Sequence, residues 1–242
     1  MEKLKKITIK FFLNKNLHPV QLDYNGETPL LGYPLYIQVT YNRNNSQFKS
    51  HYGGYYSDLA KIDEENFSGA GLLAFEENIV RKVIEHEIKK RGDKFDLKGI
   101  NKKYDLFSTS IEVLLNSNLK QRLFRILLKQ KPAEYSAIFN FNDPKIDVLL
   151  LYKAASKLYE SLEKNIPEDF KKEIKSYELF SLVNLKSKFT YSFSTIIDWL
   201  EGNAKVEFEK KLKNNVKTDL LLLPTYINII DKQIAKACLE HE

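Results

Sequence analysis

The segment that decides the fold is YPLYIQVTY, from Tyr33 to Tyr41. Its side chains alternate in polarity, because Leu35, Ile37 and Val39 fall on one side of an extended chain and the residues between them fall on the other. Alternation of this kind predicts a β-strand with one face in a core and the other towards solvent. We therefore expect this strand to organise the N-terminal part of the chain.

Two further strands are predicted around this segment. Residues 7–13 alternate in the same way, with Lys10 at a polar position. After Tyr41, the run of residues 42–45, Asn-Arg-Asn-Asn, predicts a tight turn, because asparagine tolerates the positive φ that hairpins demand. A third strand is expected from Gln47 to Tyr52. The three strands would form an antiparallel sheet with one apolar and one polar face.

From Leu72 onward the apolar residues recur with a helical period. Helices are predicted over residues 72–92 and 105–115, from a cap at Ser117, from Asp143-Pro144 to about 164, from Pro167, from 192 or 194 to 202, over 203–214, and from 218 onward with a bend at Pro224. The predicted fold class is α+β. It consists of a small N-terminal three-stranded antiparallel sheet in a domain over residues 1–60, followed by a mostly α-helical domain over residues 61–242.

Composition excludes several classes of protein. A single cysteine, Cys238, excludes an internal disulfide framework and a cysteine-rich zinc site, and it favours a reducing compartment. No apolar run reaches the roughly 18 residues that span a bilayer. The four histidines show no metal-ligand spacing, and no nucleophile motif is present. We therefore predict a cytoplasmic protein without a membrane partner, a cofactor, a metal or catalytic residues.

The positive charge is concentrated in two segments. Residues 1–60 carry seven basic and four acidic residues, whereas residues 116–131 carry five basic residues and no acid. Concentrated positive charge attracts polyanions. In the second segment the candidates for phosphate contact are Lys120, Arg122 and Arg125, although a helix that packs an apolar stripe and solvates its basic side chains would have the same composition.

The N-terminal 55 or so residues resemble the arm-type DNA-binding domain of Bacteroidetes-type tyrosine recombinases, the phage integrase family. The residues that carry the resemblance are Lys10-Phe11-Phe12-Leu13, then Tyr33 to Arg43 with its Pro-Leu-Tyr-Ile-x-Val-Thr core, then Phe48-Lys49-Ser50. The resemblance implies a sheet that lies against double-stranded DNA through its polar face. The contacts that it implies are made by Lys10, Gln38, Thr40, Arg43 and Lys49.

The resemblance also has two departures. Tyr55-Tyr56-Ser57-Asp58 stands where the family usually has a tryptophan-containing segment, and the catalytic Arg…His-x-x-Arg…Tyr series is not found. The implied function is therefore a non-enzymatic DNA-binding or accessory protein of mobile-element origin, without recombinase catalysis.

Two alternatives stay open. The helices could present a docking surface for a protein partner, with the surplus lysine serving only solubility. Arg81 and His86, five residues apart on a predicted helix, also resemble the arginine–histidine motif of the HEPN ribonuclease family, which would imply RNA cleavage.

Overall fold

A computed structural model describes residues 6–22, 30–60, 62, 71–130, 143, 146–158, 165–185, 194–215 and 220–240. The chain divides into two compact units, an N-terminal unit Met1–Ser108 and a C-terminal unit Thr109–Glu242. The sheet lies in the first unit and most of the helices lie in the second, which confirms the predicted α+β class.

The sheet of the N-terminal unit is antiparallel and has one central strand. The central strand is β3 (Leu31–Tyr41), and it pairs with β1 (Thr8–Leu13), β2 (Val20–Gln21), β4 (Asn44–Lys49) and β5 (Tyr55–Tyr56). Strands β1, β3 and β4 are the three that the sequence predicts. The two-residue strands β2 and β5 add to them at the N-terminal end of β3.

The strand β4 starts three residues earlier than the sequence predicts. Tyr41 pairs directly with Asn44, so the turn contains only Asn42 and Arg43. Both have positive φ, 50° and 66°, as a type I′ turn requires at its two central positions. Since two residues suffice for the turn, Asn44 and Asn45 belong to the strand.

One face of the sheet forms the core of the N-terminal unit. Leu35, Ile37 and Val39 have no exposed surface, and burial of each stabilises the fold by about 1.5–3 kcal/mol. Helix α1 (Leu72–Arg91) contacts β1, and helix α2 (Ile100–Phe107) contacts α1 and β4. These helices belong to the same compact unit as the sheet, and that unit extends to Ser108.

The regular elements among the described residues of the C-terminal unit are helices, beside one isolated β-bridge between Ser110 and Thr195. Its helices are α3 (Ile111–Gln130), α4 (Val148–Leu158), α5 (Glu168–Leu185), α6 (Ile196–Leu200), α7 (Asn203–Asn215) and α8 (Leu223–Glu240). Helix α5 contacts α3, α7 and α8, and α3 also contacts α4 and α8. The chain's one tryptophan, Trp199, is buried in this unit and donates a 2.8 Å hydrogen bond to Asp231.

Three predicted helix boundaries are wrong. Helix α3 runs through Ser117 without a break, because the interruption comes earlier, between α2 and Ile111. Helix α4 begins at Val148, where the Asp147 carboxylate accepts a 2.6 Å hydrogen bond from the Leu149 backbone. Pro224 does not bend the last helix, because it stands in the first turn of α8, where proline loses no hydrogen bond.

Candidate nucleic-acid interface

The face of the sheet opposite the core carries a continuous set of polar and aromatic side chains. Strand register arranges them in three rows across β1, β3 and β4. We call these nine residues the outer face: Thr8, Thr40 and Asn45 in the first row, Lys10, Gln38 and Gln47 in the second, and Phe12, Tyr36 and Lys49 in the third. All of them are exposed or half-buried.

Hydrogen bonds between side chains order the middle of the outer face. The Gln47 amide donates to Gln38 Oε1 at 2.9 Å, and the Thr40 hydroxyl donates to Asn45 Oδ1 at 2.6 Å. Each bond joins two directly opposite residues of β3 and β4. These contacts hold amide groups in place on the open side of the sheet, where their remaining donors and acceptors can meet a ligand.

The two lysines of the outer face lie on its two flanking strands. Lys10 is on β1 and Lys49 is on β4, and the central strand β3 lies between them. The two lysines stand in neighbouring rows, because Lys10 is in the second row and Lys49 is in the third. Strand spacing and rise then separate their Cα atoms by about 12 Å. Lys49 Nζ also lies 5.5 Å from the centre of the Tyr55 ring, a cation–π contact that leaves its charge unneutralised.

No carboxylate neutralises this charge within the strands. Described residues 6–22 and 30–57 include five basic residues and no acid. Among the residues that the structure describes, Lys10, Arg43 and Lys49 form no ion pair. The N-terminal candidates therefore share one positively charged surface.

Arg43 extends this surface at the tip of the β3–β4 hairpin. It is exposed, and it follows Asn42 in the turn next to the row of Thr40 and Asn45. A residue with a Cβ loses about 1 kcal/mol in the left-handed region that Arg43 occupies at φ 66°. Glycine would avoid this cost, so the stability of the turn does not explain the arginine.

Five of the nine outer-face residues were not among the candidates from the sequence: Thr8, Phe12, Tyr36, Asn45 and Gln47. Sequence reasoning assigned Asn45 to the turn, and it gave no role to Gln47, the expected first residue of the third strand. A two-residue turn at Asn42-Arg43 gives the register of β4, and that register pairs Asn45 with Thr40 and Gln47 with Gln38. The two-residue length of the turn was therefore the feature that could have placed Asn45 and Gln47 opposite Thr40 and Gln38.

A buried carboxylate on α1 supports the sheet from its core side. Glu76 has no exposed surface and accepts hydrogen bonds from the Ser50 hydroxyl (2.6 and 2.8 Å), the His51 backbone (2.8 Å) and the Tyr104 hydroxyl. Burial and the adjacent Glu76 carboxylate raise the pKa of Tyr104. The chain that follows β4 is thereby tied to both α1 and α2.

The basic residues of α3 do not form a comparable surface. Lys120 is only 5% exposed, and its ammonium donates a 2.7 Å hydrogen bond to the backbone carbonyl of Asp143. A buried ammonium bound to a carbonyl does not reach a nucleic acid. Lys120 is therefore removed from the candidate interface.

Arg122 is also occupied by partners within the C-terminal unit. Its guanidinium forms ion pairs of 2.5 Å with both Asp169 and Glu173, and it lies 5.5 Å from the centre of the Phe170 ring. Burial lowers the pKa of Arg122, but hydrogen bonds and charge from Asp169 and Glu173 outweigh burial and raise it. This arginine joins α3 to α5, and its charge is compensated by the two carboxylates.

Only Arg125 of the three α3 candidates is exposed and free of ion pairs within the described residues.

Arg81 and His86, the pair that resembles the ribonuclease motif, both lie on helix α1. Arg81 Nη2 forms a 2.7 Å ion pair with Glu77, and the His86 ring lies against the edge of Phe107 with ring centres 5.6 Å apart. Five residues of helix rotate a side chain by about 500°, which places Arg81 and His86 some 140° apart around α1.

An apolar ribbon stands at the other end of the sheet, where β2 pairs with the start of β3. Five leucine and valine side chains on and around this ribbon are each 37–43% exposed: Leu17, Val20, Leu22, Leu30 and Leu31. This exposure is the observation that bears on the alternative of a protein-docking module.

Comparisons with known proteins give no family assignment. No family model matches the chain, and neither a curated protein nor a solved structure does. Among the described helices, none combines the length and the apolar character that crossing a bilayer requires.

Proposed function

We propose that the N-terminal unit binds double-stranded DNA through the outer face of its sheet. The observation that carries this proposal is a sheet face whose strands contain no acidic residue, with Lys10 and Lys49 on the flanking strands and a block of ordered amides between them. The protein acts as a non-enzymatic DNA-binding or accessory factor of mobile-element origin. The resemblance of residues 5–57 to the integrase arm-binding domain supports the same assignment.

The dimensions of the outer face suit the major groove. That groove is about 12 Å wide and admits a β-ribbon, while its phosphates line both edges. The flanking strands hold Lys10 and Lys49 about 12 Å apart, from strand spacing and rise. Lysine contacts phosphate as a point charge, whereas the amides of Gln38 and Gln47 can bond to base edges. The lysines would supply affinity and the glutamines would supply any sequence preference.

The test is a salt titration of duplex binding. Fluorescence anisotropy with a labelled 30-base-pair duplex would be recorded between 50 and 300 mM NaCl. We expect Lys10→Gln and Lys49→Gln each to reduce the slope of log K against log salt by about 1, because each removes one phosphate contact. The double variant should lose about 2.

A matched control is Lys102→Gln, which removes an exposed lysine of α2 in the same unit. Its slope should equal that of the parent protein. Absence of duplex binding at 50 mM NaCl would sink the proposal, and it would favour the docking alternative that the apolar ribbon suggests. Tighter binding to a single strand of the same sequence would contradict a duplex ligand and would indicate base stacking on Phe12 and Tyr36.

A further inference from the structure

A pocket of about 510 Å³ opens within the C-terminal unit, among α3, α5 and α8. Most of its lining comes from one face of α3, at the i, i+3, i+4 and i+7 spacing of adjacent turns. The α3 residues are Asn118, Gln121, Arg122, Arg125, Ile126 and Lys129. Gln233 and Lys236 of α8 also line the pocket. The volume falls in the range of small-molecule sites.

The lining is strongly cationic. Four of its side chains are basic, and one, Glu173, is acidic. Arg122 forms ion pairs with both Glu173 and Asp169, so one guanidinium faces two carboxylates at this wall of the pocket. The positive charge of Arg125, Lys129 and Lys236 exceeds this local negative charge and leaves the lining with a net positive charge.

Two of these cations have no counter-charge within the part of the chain that the structure describes. Among the described residues, Arg125 and Lys129 form no ion pair, and both are exposed. They stand one helical turn apart on α3, which places their Cβ atoms about 6 Å from each other. Lys236 lies 3.8 Å from Glu240, in a pair where both side chains are about two-thirds exposed. Exposed pairs of this kind are weak and exchange readily.

The opposite end of the α3 face carries neutral amides. Asn118 Nδ2 donates a 3.0 Å hydrogen bond to Gln233 Oε1, which fixes both side chains across α3 and α8. This bond leaves Asn118 Oδ1 as an acceptor and Gln233 Nε2 as a donor. Along α3 the lining thus changes from amides at Asn118 and Gln121 to cations at Arg125 and Lys129.

We propose that this pocket binds a nucleotide-sized phosphorylated small molecule. Its phosphates would lie against Arg125, Lys129 and Lys236, and its neutral hydrogen-bonding part would lie against Asn118, Gln121 and Gln233. An arginine fork and two ammonium groups match the geometry and charge of a phosphate chain. The ion pairs of Arg122 with Asp169 and Glu173 join α3 to α5 at the wall of the pocket.

The experiment is calorimetric titration of the full chain at 150 mM NaCl with ATP, pyrophosphate and inorganic phosphate as separate probes. We expect saturable binding of ATP, weaker binding of pyrophosphate and the weakest binding of inorganic phosphate. Arg125→Gln and Lys129→Gln should each weaken ATP binding tenfold or more. Asn118→Ala should weaken ATP but leave pyrophosphate unchanged. Trp199 fluorescence, which reports on the same unit, would verify that each variant is folded.

Lys232→Gln is the matched control, because Lys232 is an exposed lysine of α8 one turn from Lys236 and does not line the pocket. It should bind ATP like the parent protein. An equal loss in Lys232→Gln, or no saturable binding of any probe, would overturn the proposal. Pyrophosphate binding as tight as ATP would overturn the role of the amides. The Lys10→Gln and Lys49→Gln variants should retain ATP binding, so failure here is distinguishable from failure of the DNA proposal.

Discussion

Glu76 places a carboxylate inside the N-terminal unit with hydrogen-bond donors around it. The donors are the Ser50 hydroxyl, the His51 backbone and the Tyr104 hydroxyl, and the side chain makes no ion pair among the described residues. Burial of a carboxylate is tolerated only when its hydrogen bonds are complete. Glu76 therefore supplies hydrogen bonds that attach the segment after β4 to α1, in addition to the ring contact of Tyr52 with Phe75.

Glu76→Gln tests that dependence. The NH2 group of the glutamine would face donors that now bond to the Glu76 carboxylate, so hydrogen bonds to a charged acceptor are lost. The free energy of unfolding of the N-terminal unit should therefore fall by about 2–3 kcal/mol. Hydrogen exchange of peptides covering β3 and β4 should accelerate by about 30- to 150-fold, since 1.4 kcal/mol corresponds to tenfold. Glu77→Gln, which removes only a partly exposed pair with Arg81, should change exchange less than threefold. Equal effects in the two variants would refute the role of Glu76.

Four of the nine outer-face residues, Lys10, Gln38, Thr40 and Lys49, were predicted from the sequence, whereas the contacts of the α3 residues were not. Alternation is a local property, and within each of the three strands it assigns Lys10, Gln38 or Lys49 to the polar side. The partners of Lys120 and Arg122 are Asp143 and Asp169, which stand 23 and 47 residues away. Composition alone cannot indicate contacts at that distance.

At the scale of elements, the β3–β4 hairpin combines an unfavourable turn residue with a favourable position for binding. Arg43 at φ 66° pairs with Asn42 in a turn where Asn-Gly is the preferred sequence. Arg43→Gly should therefore stabilise the N-terminal unit by about 0.5–1 kcal/mol, because the strain at Cβ disappears. The same change should reduce the salt slope of duplex binding by about 1.

The measurement pairs a urea midpoint, followed by far-ultraviolet circular dichroism, with the anisotropy titration. Asn42→Gly serves as the control, because it relaxes the same turn without removing a charge. It should raise the midpoint slightly and leave the salt slope unchanged. If Arg43→Gly bound DNA with the parent slope, Arg43 would have no place in the interface.

Element boundaries show where local reading of the sequence stops. The existence of β1, β3 and β4 followed from period-two alternation, and the helical character of later segments followed from their apolar period. Ser117 has the chemistry of a helix cap, yet α3 passes through it, because Leu115, Leu119 and Leu123 bury one continuous stripe. Packing of that stripe outweighs the weak preference of a single serine.

At the scale of the whole molecule, each compact unit contains one buried tyrosine bonded to a carboxylate. Tyr104 donates to Glu76 in the N-terminal unit, and Tyr177 donates to Asp147 at 2.8 Å in the C-terminal unit. Burial and then the adjacent carboxylate raise the pKa of both tyrosines above the ordinary value of 10.0. Both units are therefore expected to respond to alkaline pH in the same direction.

The sign of that response follows from proton binding. Below pH 10 each tyrosine is protonated in both the folded and the unfolded chain, so its contribution to stability is fully present and constant. Above pH 10 the unfolded chain releases the proton and the folded chain retains it, so stability falls by up to about 1.4 kcal/mol per pH unit for each tyrosine.

Urea midpoints between pH 8 and 11, followed by circular dichroism and by Trp199 fluorescence, should therefore be level to about pH 10 and then decline. Tyr177→Phe should flatten the decline that Trp199 reports, whereas Tyr55→Phe, which alters an exposed tyrosine, should leave it intact. A midpoint that stayed level to pH 11 in the parent protein would show that these two hydroxyls do not keep their protons in the folded chain.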